Sequence, residues 1–530
     1  MVIESDVLII GSGIAAAMVA EKLAEEREAR IVVVEAGDHA APLEERPARR
    51  ARYVAYGETP WPNDHVDGLA VDGMQSRTMQ VGGQAMHWGG VTPRFSPEDF
   101  RLRSLYGVGE DWPITYEDLD PFYQEAEERI GVAGVQGPPE LDPRSKPYPL
   151  PPLPLTYNLE QLRRWGERAG VPLWSQPSAK ASQPYRGRPA CCRNDTCAPI
   201  CPIGAKYSPD FTWRALVEAG RVGLIPRTMV RRLVLEPNTE RVSHAIAVSR
   251  DQPDEPIELH AHAFVLAGGY LWTPHLLLLS AEPRFPTGLA NSSGLVGRYI
   301  AGHRSVHAFI ELPLRLYPGM NTQHGLLSTK FMRPGGLERY VRHDLRVWES
   351  TFGREPRLRG EDGRVLLGDE VLADWRRRTA TGVAHVRAYY DVLPSPESRL
   401  ALDAARATPW GDPLPRLDLR DAPESRALRA HTEQGIRALF ERMARAGEGR
   451  VLMTRVDEFR DHPCGGCRMG EGPARSVCDP WGRTHDHENL FIAGAPVCVT
   501  AGCTDGTLTF CALALRTAAE LGKEFPPRAA

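Results

Sequence analysis

The sequence predicts an α/β protein built in two parts, and three observations carry that expectation. Asp6-Val-Leu-Ile-Ile10, a Gly-rich turn, the helix-forming run Ala17-to-Glu26 and Arg30-Ile-Val-Val-Val-Glu35 follow one another as strand, helix and strand. From about residue 303 to 400, alternating stretches such as Val306-to-Leu312 and Gly382-to-Tyr390 read as strands of a mostly antiparallel sheet. A chain of 530 residues, 42% apolar and 25% charged, is long enough for two domains or one large interleaved unit and too apolar to be disordered.

The first turn, Gly11-Ser-Gly13-Ile-Ala-Ala16, has the pattern G-x-G-x-x-A. Its glycines let the backbone approach a pyrophosphate at the helix N-terminus. Glu35, 24 residues after Gly11 and at the end of the second strand, is placed to bind ribose hydroxyls. With strand, helix, strand and terminal acid all in order, the motif predicts a dinucleotide site. Residues 80–95 hold a second Gly-rich loop, with Gly82-Gly83 and His87-Trp88-Gly89-Gly90, which can lie against a flat ligand because glycine has no side chain. Residues 136–155 and 177–190 are rich in Pro and polar residues and read as irregular. Leu233–Leu235 and Ala245–Val248 read as paired strands, and His262-to-Gly269 as a strand ending in a Gly turn. Ser425-to-Ala446 reads as an amphipathic helix, Asn489-to-Gly494 as a late strand and Thr507-to-Leu521 as a helix. There is no internal repeat.

Four of the ten cysteines, Cys191, Cys192, Cys197 and Cys201, fall within eleven residues, and the run closes as C-x3-C-P. That ending matches the close of a ferredoxin-type run, in which thiolates wrap an iron–sulfur cluster. A structural zinc site and a local disulfide are the alternatives. Zinc usually takes two separated C-x2-4-C pairs, and adjacent cysteines bridge each other poorly.

The formal net charge of −4, the pI near 6.5 and the lack of a basic block argue against nucleic acid and anionic membrane as partners. The N-terminus runs into a strand with no basic and apolar leader, and no apolar run is long enough to span a bilayer. The expectation is a cytoplasmic chain without its own signal peptide, or a periplasmic one exported with a signal-bearing partner.

Several separated segments carry a family resemblance. They are the N-terminal fingerprint, Gly82-Gly83 with His87-Trp88, Asp111-to-Leu119, His462-Pro-Cys-Gly-Gly-Cys-Arg468-Met469-Gly470 and Asn489-Leu-Phe-Ile-Ala-Gly494. Together they resemble the glucose–methanol–choline (GMC) flavoprotein oxidoreductases. The nearest look is to the branch of pyranose oxidase and the large subunits of bacterial gluconate, fructose and glucose dehydrogenases. The resemblance spans most of the chain and is weakest at 303–450. It implies a discontinuous FAD-binding Rossmann-like domain (1–100, 205–300 and 455–530), a connecting region with the Cys-rich segment (101–204), and a substrate-binding domain on a mostly antiparallel sheet (301–454). Gly11, Gly13 and Ala16 would hold the pyrophosphate and Glu35 the ribose. Val230 would meet the adenine, Gly82 and Gly83 would line the flavin, and Gly494 would face the ribityl chain, with Thr507 nearby.

The same resemblance implies that Cys191, Cys197 and Cys201 hold a 3Fe–4S cluster, leaving Cys192 spare. The activity it implies is FAD-dependent oxidation of an alcohol group of a sugar, sugar acid or polyol. Electrons would leave through the cluster to a cytochrome c or quinone-linked acceptor, beside a small subunit. A stand-alone O2-using oxidase and a non-redox flavoprotein are the alternatives. His462, six residues before Arg468, matches the family's catalytic base, a role imidazole suits near neutral pH. Cys464 and Cys467 in the same loop read as small packing residues.

Two positions depart from the family. Met86-His87-Trp88 matches neither the T-H-W of pyranose oxidase, whose His is bonded to the flavin, nor the W-H-W of the dehydrogenases. His87 is therefore read either as a flavin-linked residue or as one packed beside it. Asp505 stands where the family has Asn or His, two places before Thr507-Leu-Thr509. An ionised Asp only accepts hydrogen bonds, so Asp505 is expected either to tune His462 or to cap the helix that begins near Thr507.

Overall fold

The computed structural model describes residues 1–69, 78–317, 324–333, 341–360 and 362–528. Two sheets organise it. The first has seven strands, in the order Val222–Ile225, Ile31–Val34, Val2–Ile10, Pro256–Leu266, Val242–Ser249 and Thr228–Leu235, with Leu490–Ile492 also paired to Pro256–Leu266. The pairings at the Val222–Ile225 end, and that of Leu490–Ile492, are parallel. The other two are antiparallel. Ile31–Val34 is buried at every position, as expected of a parallel strand covered on both faces. The helices Ile14–Glu26 and Thr507–Leu521 pack together, and Tyr116–Ile130 packs on the second of them. The α/β class read from the sequence is the one the structure has.

The second sheet has six strands, all antiparallel: Arg450–Cys464, Ala301–Leu312, Gly382–Asp391, Leu345–Glu349, Leu326–Ser328 and Trp174–Ser175. One face is apolar. Val306, Ala308, Ile310, Val347 and Val386 form a core with Ile436 and Phe440 of the helix Pro423–Ala446 and with Trp165 of the helix Tyr157–Arg168. Strand side chains alternate between faces, so His303, His307, Arg346, Trp348, Arg387 and Tyr389 share the opposite face.

The sheet extends beyond the boundaries expected from sequence. Its outer strand runs to Cys464, past residue 454, and its short edge strand 174–175 comes from the stretch expected to be a connecting region. The pairing of 450–464 against Ala301–Leu312 sets that limit, and composition carries no trace of it. Among the described residues, no helix is long and apolar enough to cross a membrane.

Candidate active site

A cavity of about 490 Å³ opens at the C-terminal ends of the parallel strands, where α/β sheets commonly bind ligands. Gly11, Gly13, Glu35, Gly83, Val230 and Thr507 line it, and so does His462, which comes from the second sheet. Gly11 has φ +100°, and a Cβ there would lie 2.8 Å from the Ala267 carbonyl oxygen. Gly13 starts the helix Ile14–Glu26 with no side-chain cap, and a Cβ on it would meet nothing within 4 Å. The free N–H groups of the first helical turn thus face open space, a ready site for a pyrophosphate. Glu35 Oε2 accepts hydrogen bonds from Ser12 N (3.0 Å) and Ser12 Oγ (2.6 Å), and Oε1 accepts one from Gly37 N (2.9 Å). Burial pushes this carboxyl up from its ordinary value, while those bonds pull the other way. Open helix terminus, fixed acid and glycine-lined slot fit a dinucleotide such as FAD.

Four of the expected cofactor residues do not line the cavity. Ala16 is fully buried in the core. Gly82 turns at φ +98°, where a Cβ would strike Met86 Sδ at 2.5 Å. Gly494 lies between the lining residues Ala493 and Ala495, and a Cβ on it would come within 2.6 Å of Ala15 Cβ. Their close packing shapes the wall from behind. His87 is separated from the cavity, unlike its neighbour Trp88: its Nε2 pairs with Asp64 Oδ2 at 2.9 Å and it lines an adjoining recess.

His462 sits where the strand Arg450–Cys464 loses register with Ala301–Leu312, between shifts at Asp457/Asp461 and Asp461/Cys464. Its φ of +44° is uncommon for a residue with a side chain, and such irregularities re-aim side chains beside active sites. His462 Nδ1 lies 2.8 Å from His303 Nε2. Its Nε2 lies 3.3 Å from Asp505 Oδ1. Asp505 also accepts a short hydrogen bond from Arg346 Nη2, and Arg346 Nε donates to Asp344 Oδ2 at 3.1 Å. Burial pushes the Asp505 carboxyl up, but Arg346, His462 and Arg387 outweigh it and hold the group at about 2. Burial, reinforced by His462, holds His303 down at about 3, so it is neutral. Asp505 does not cap the following helix; Gly506 occupies the cap position without a side-chain bond.

The sequence reading had missed His303, Asp344, Arg346, Arg387, Tyr389 and Asp461. The available signal was charge at alternate positions of otherwise apolar strands, as in Val383-Ala-His-Val-Arg-Ala-Tyr389. A pattern of that kind marks a buried polar face rather than a solvated one only once the partner elements are known.

On another side of the cavity lies the cysteine loop. Cys197 and Cys201 are buried, Cys191 is half-buried and Cys192 is exposed. Cys191 Sγ accepts from Arg193 N at 3.4 Å and Cys201 Sγ from Lys206 N at 3.5 Å. Burial pushes the Cys191 thiol up, and Cys197 and Cys201 add to that rise. Lys206 Nζ donates to the carbonyls of Met86 (3.1 Å), Trp88 (2.7 Å) and Cys197 (2.7 Å), tying this loop to the cavity wall. Cys197 and Cys201 lie near enough to act on Cys191, and Lys206 places a buried ammonium beside this loop, a setting whose charge suits an anionic metal–sulfur group. Among the described residues, the ligand atoms that come within 4.8 Å of one another are those of Asp99, Asp391 and Cys503, whose carboxylates are held by Arg342 at 2.6 and 2.7 Å. Cys464 and Cys467 are buried, and Cys464 Sγ donates to Thr500 O at 3.7 Å.

Comparison with known proteins agrees with this geometry. Residues 394–514 match the GMC oxidoreductase family. The chain is 32% identical over 549 aligned residues to the fructose dehydrogenase large subunit of Gluconobacter japonicus, covering 97% of each protein. It is 28% identical to the 2-methyl-1,2-propanediol dehydrogenase of Mycolicibacterium austroafricanum, covering 98% of this chain and 96% of that one. The solved structure of pyridoxine 4-oxidase from Mesorbium loti shares the fold, with a TM-score of 0.61 at 18% identity over 97% of this chain and 98% of that one. The chain belongs to the GMC oxidoreductase family, and it is an FAD-dependent oxidoreductase acting on CH–OH donors.

Proposed function

We propose that the protein is a dehydrogenase for a sugar, sugar acid or polyol, with His462 as proton acceptor. The observation that supports this most is the meeting of His462, from the bulged end of one sheet, with the dinucleotide cavity of the other. FAD, when bound, supplies the hydride acceptor. In this reading, His462 Nδ1–H donates to neutral His303 Nε2, which leaves Nε2 to take the substrate hydroxyl proton. Asp505, at 3.3 Å and anionic, stabilises the imidazolium that results. Arg346 fixes Asp505 from behind, and Asp344 fixes Arg346. Gly11, Gly13, Glu35, Gly83, Val230 and Thr507 contact the cofactor. Ala16, Gly82 and Gly494 support that wall, and residues 1–100, 205–300 and 455–530 form the cofactor domain around it.

Cys191, Cys197 and Cys201 hold a 3Fe–4S cluster in the same reading. Such a cluster supplies one-electron transfer to an external cytochrome c or quinone-linked acceptor, reached with a small subunit. Lys206 supports it as a buried cation that bonds both Trp88 and the cysteine loop.

The test is anaerobic flavin bleaching by a panel of sugars, sugar acids and polyols, with iron and acid-labile sulfide measured on the same sample. His462→Ala should keep its flavin and lose about 10²–10⁴-fold in bleaching rate. An iron-free wild type that passes electrons to O2 as fast as to dyes would overturn the cluster and leave an oxidase. A His462→Ala protein bleached at the wild-type rate would overturn the role of His462.

A further inference from the structure

The polar face of the second sheet carries a guanidinium whose hydrogen-bond donors the activity described above leaves unused. Arg387 lies in the middle of the strand Gly382–Asp391, directly opposite Arg346 on one side and His307 on the other. Like charges facing each other across strands are unfavourable; here Arg346 is buried and Arg387 half-buried. Arg346 is neutralised by Asp344 and Asp505. Arg387 is not. Among the described residues it makes no hydrogen bond or ion pair, and its Nε is sealed from solvent without a partner. The neighbouring carboxylates are engaged elsewhere, Asp344 and Asp505 by Arg346 and Asp461 by the Tyr389 hydroxyl at 2.6 Å. Asp505, Asp344 and Asp461 act on the Arg387 charge from a distance, but none accepts a hydrogen bond from it; donors left unmet in this way imply an acceptor that arrives from outside.

The geometry also says where that acceptor sits. The guanidinium carbon is 3.9 Å from the Tyr389 ring centre and 5.1 Å from that of Trp348. These contacts hold its plane and keep the fork from swinging away. The Tyr389 ring is in turn 5.8 Å from that of His462. A group bound at Arg387 therefore lies one aromatic ring away from the nitrogen that receives the hydroxyl proton, within the span of a short carbon chain. Trp348 and His385 are partly exposed on the same face, beside Phe309. Burial holds His385 and His307 down at about 3, so neither adds a competing cation.

We propose that Arg387 is the specificity-determining residue of this site, binding a substrate carboxylate through its free N–H groups and thereby selecting sugar acids over neutral and amino sugars. This rests on the reading of the site as an alcohol-oxidising one. A carboxylate at Arg387 accepts two parallel hydrogen bonds, which lysine cannot reproduce. It also places negative charge on the side where His462 becomes positive as the proton moves, so binding and catalysis favour the same donor.

The experiment uses the holoenzyme with a dye acceptor, and gluconate, sorbitol and glucosamine as donors, for the wild type, Arg387→Met and Arg387→Lys. The wild type should have its lowest KM for gluconate. Arg387→Met should raise the KM for gluconate about 10²-fold more than that for sorbitol, with the flavin spectrum retained. Arg387→Lys keeps the charge and loses the fork, and should fall between the two; it decides the matter if the Met variant does not fold. Equal KM increases for gluconate and sorbitol, or a wild type that prefers sorbitol or glucosamine, would overturn the proposal. A flavin-loaded wild type bleached by no hydroxyl donor overturns the reading of the site itself, and the proposal with it.

Discussion

The two walls of this active site are built by different means. The wall from the first sheet is backbone: glycines at φ +100° and near +60°, free N–H groups at a helix start, and one acid held by its neighbours' amides. The other wall is side chain: Arg346, Asp344, His303 and His462 of the second sheet, interlocked with Asp505 from the loop before the helix Thr507–Leu521. The first suits a phosphate-linked cofactor, by shape and dipole. The second, in the function proposed above, reads the substrate through residues that can change one at a time. A backbone wall fails when a side chain is added. A side-chain wall fails when a charge is removed.

Adding a side chain should have the larger effect. Gly11→Ala puts a methyl 2.8 Å from the Ala267 carbonyl oxygen at a backbone angle that alanine rarely adopts. The left-handed conformation alone costs about 1–2 kcal/mol, and the contact with fixed backbone adds to it. The expected outcome is protein purified without flavin, read as the ratio of visible to ultraviolet absorbance. A flavin-replete Gly11→Ala protein would mean that this wall yields more easily than its packing indicates.

Removing a charge from the other wall should weaken the fold and change its acid response. Asp505→Asn leaves Arg346 with Asp344 as its one remaining carboxylate. Breaking one partner out of a buried ion pair costs about 3–5 kcal/mol, and Asp344 should hold the loss to the lower end. Asp505 is held at about 2, below the ordinary value near 4. Its stabilising contribution is therefore complete above that ordinary value and is lost as the pH falls through about 2. Wild type and Asp505→Asn should differ most in urea midpoint at neutral pH and converge as the pH drops from about 4 towards 2. Parallel curves over that range would show that the Asp505 charge does not carry the difference.

The same contrast explains what could be read from the sequence. The cofactor wall was legible because its parts are local: Gly11, Gly13 and Glu35 lie within one βαβ unit, and their spacing is itself the signal. His462 was legible through its neighbours, Gly465, Gly466 and Arg468. Asp505 was legible as well, as a departure from the family two places before Thr507. The other companions of His462 were not: His303, Arg346 and Arg387 come from three strands up to 84 residues apart, and the antiparallel register brings them to one face. His87 is placed differently from its neighbours for the opposite reason. It sits in a loop whose glycines and Trp88 do face the cavity, but Asp64, distant in sequence and without any motif, holds its ring in the adjoining recess. The helix-cap alternative for Asp505 was reasonable from position alone, and failed because the pull of Arg346 was invisible there.

The smallest effect separates two adjacent cysteines. Cys191 is half-buried, its sulfur accepts from Arg193 N at 3.4 Å, and it shares its electrostatic surroundings with Cys197 and Cys201. Cys192 is exposed. A bound metal–sulfur group needs ligand atoms that converge, and successive side chains in extended backbone point to opposite sides. If Cys191 faces Cys197 and Cys201, its neighbour faces solvent. Cys197→Ser and Cys191→Ser should therefore each lower iron and acid-labile sulfide per flavin and slow reduction of the external acceptor, leaving anaerobic flavin bleaching by donor intact. Cys192→Ser should change none of these. Iron lost from Cys192→Ser but kept in Cys191→Ser would exchange the two assignments, and iron unchanged in all three would remove the cluster from this loop.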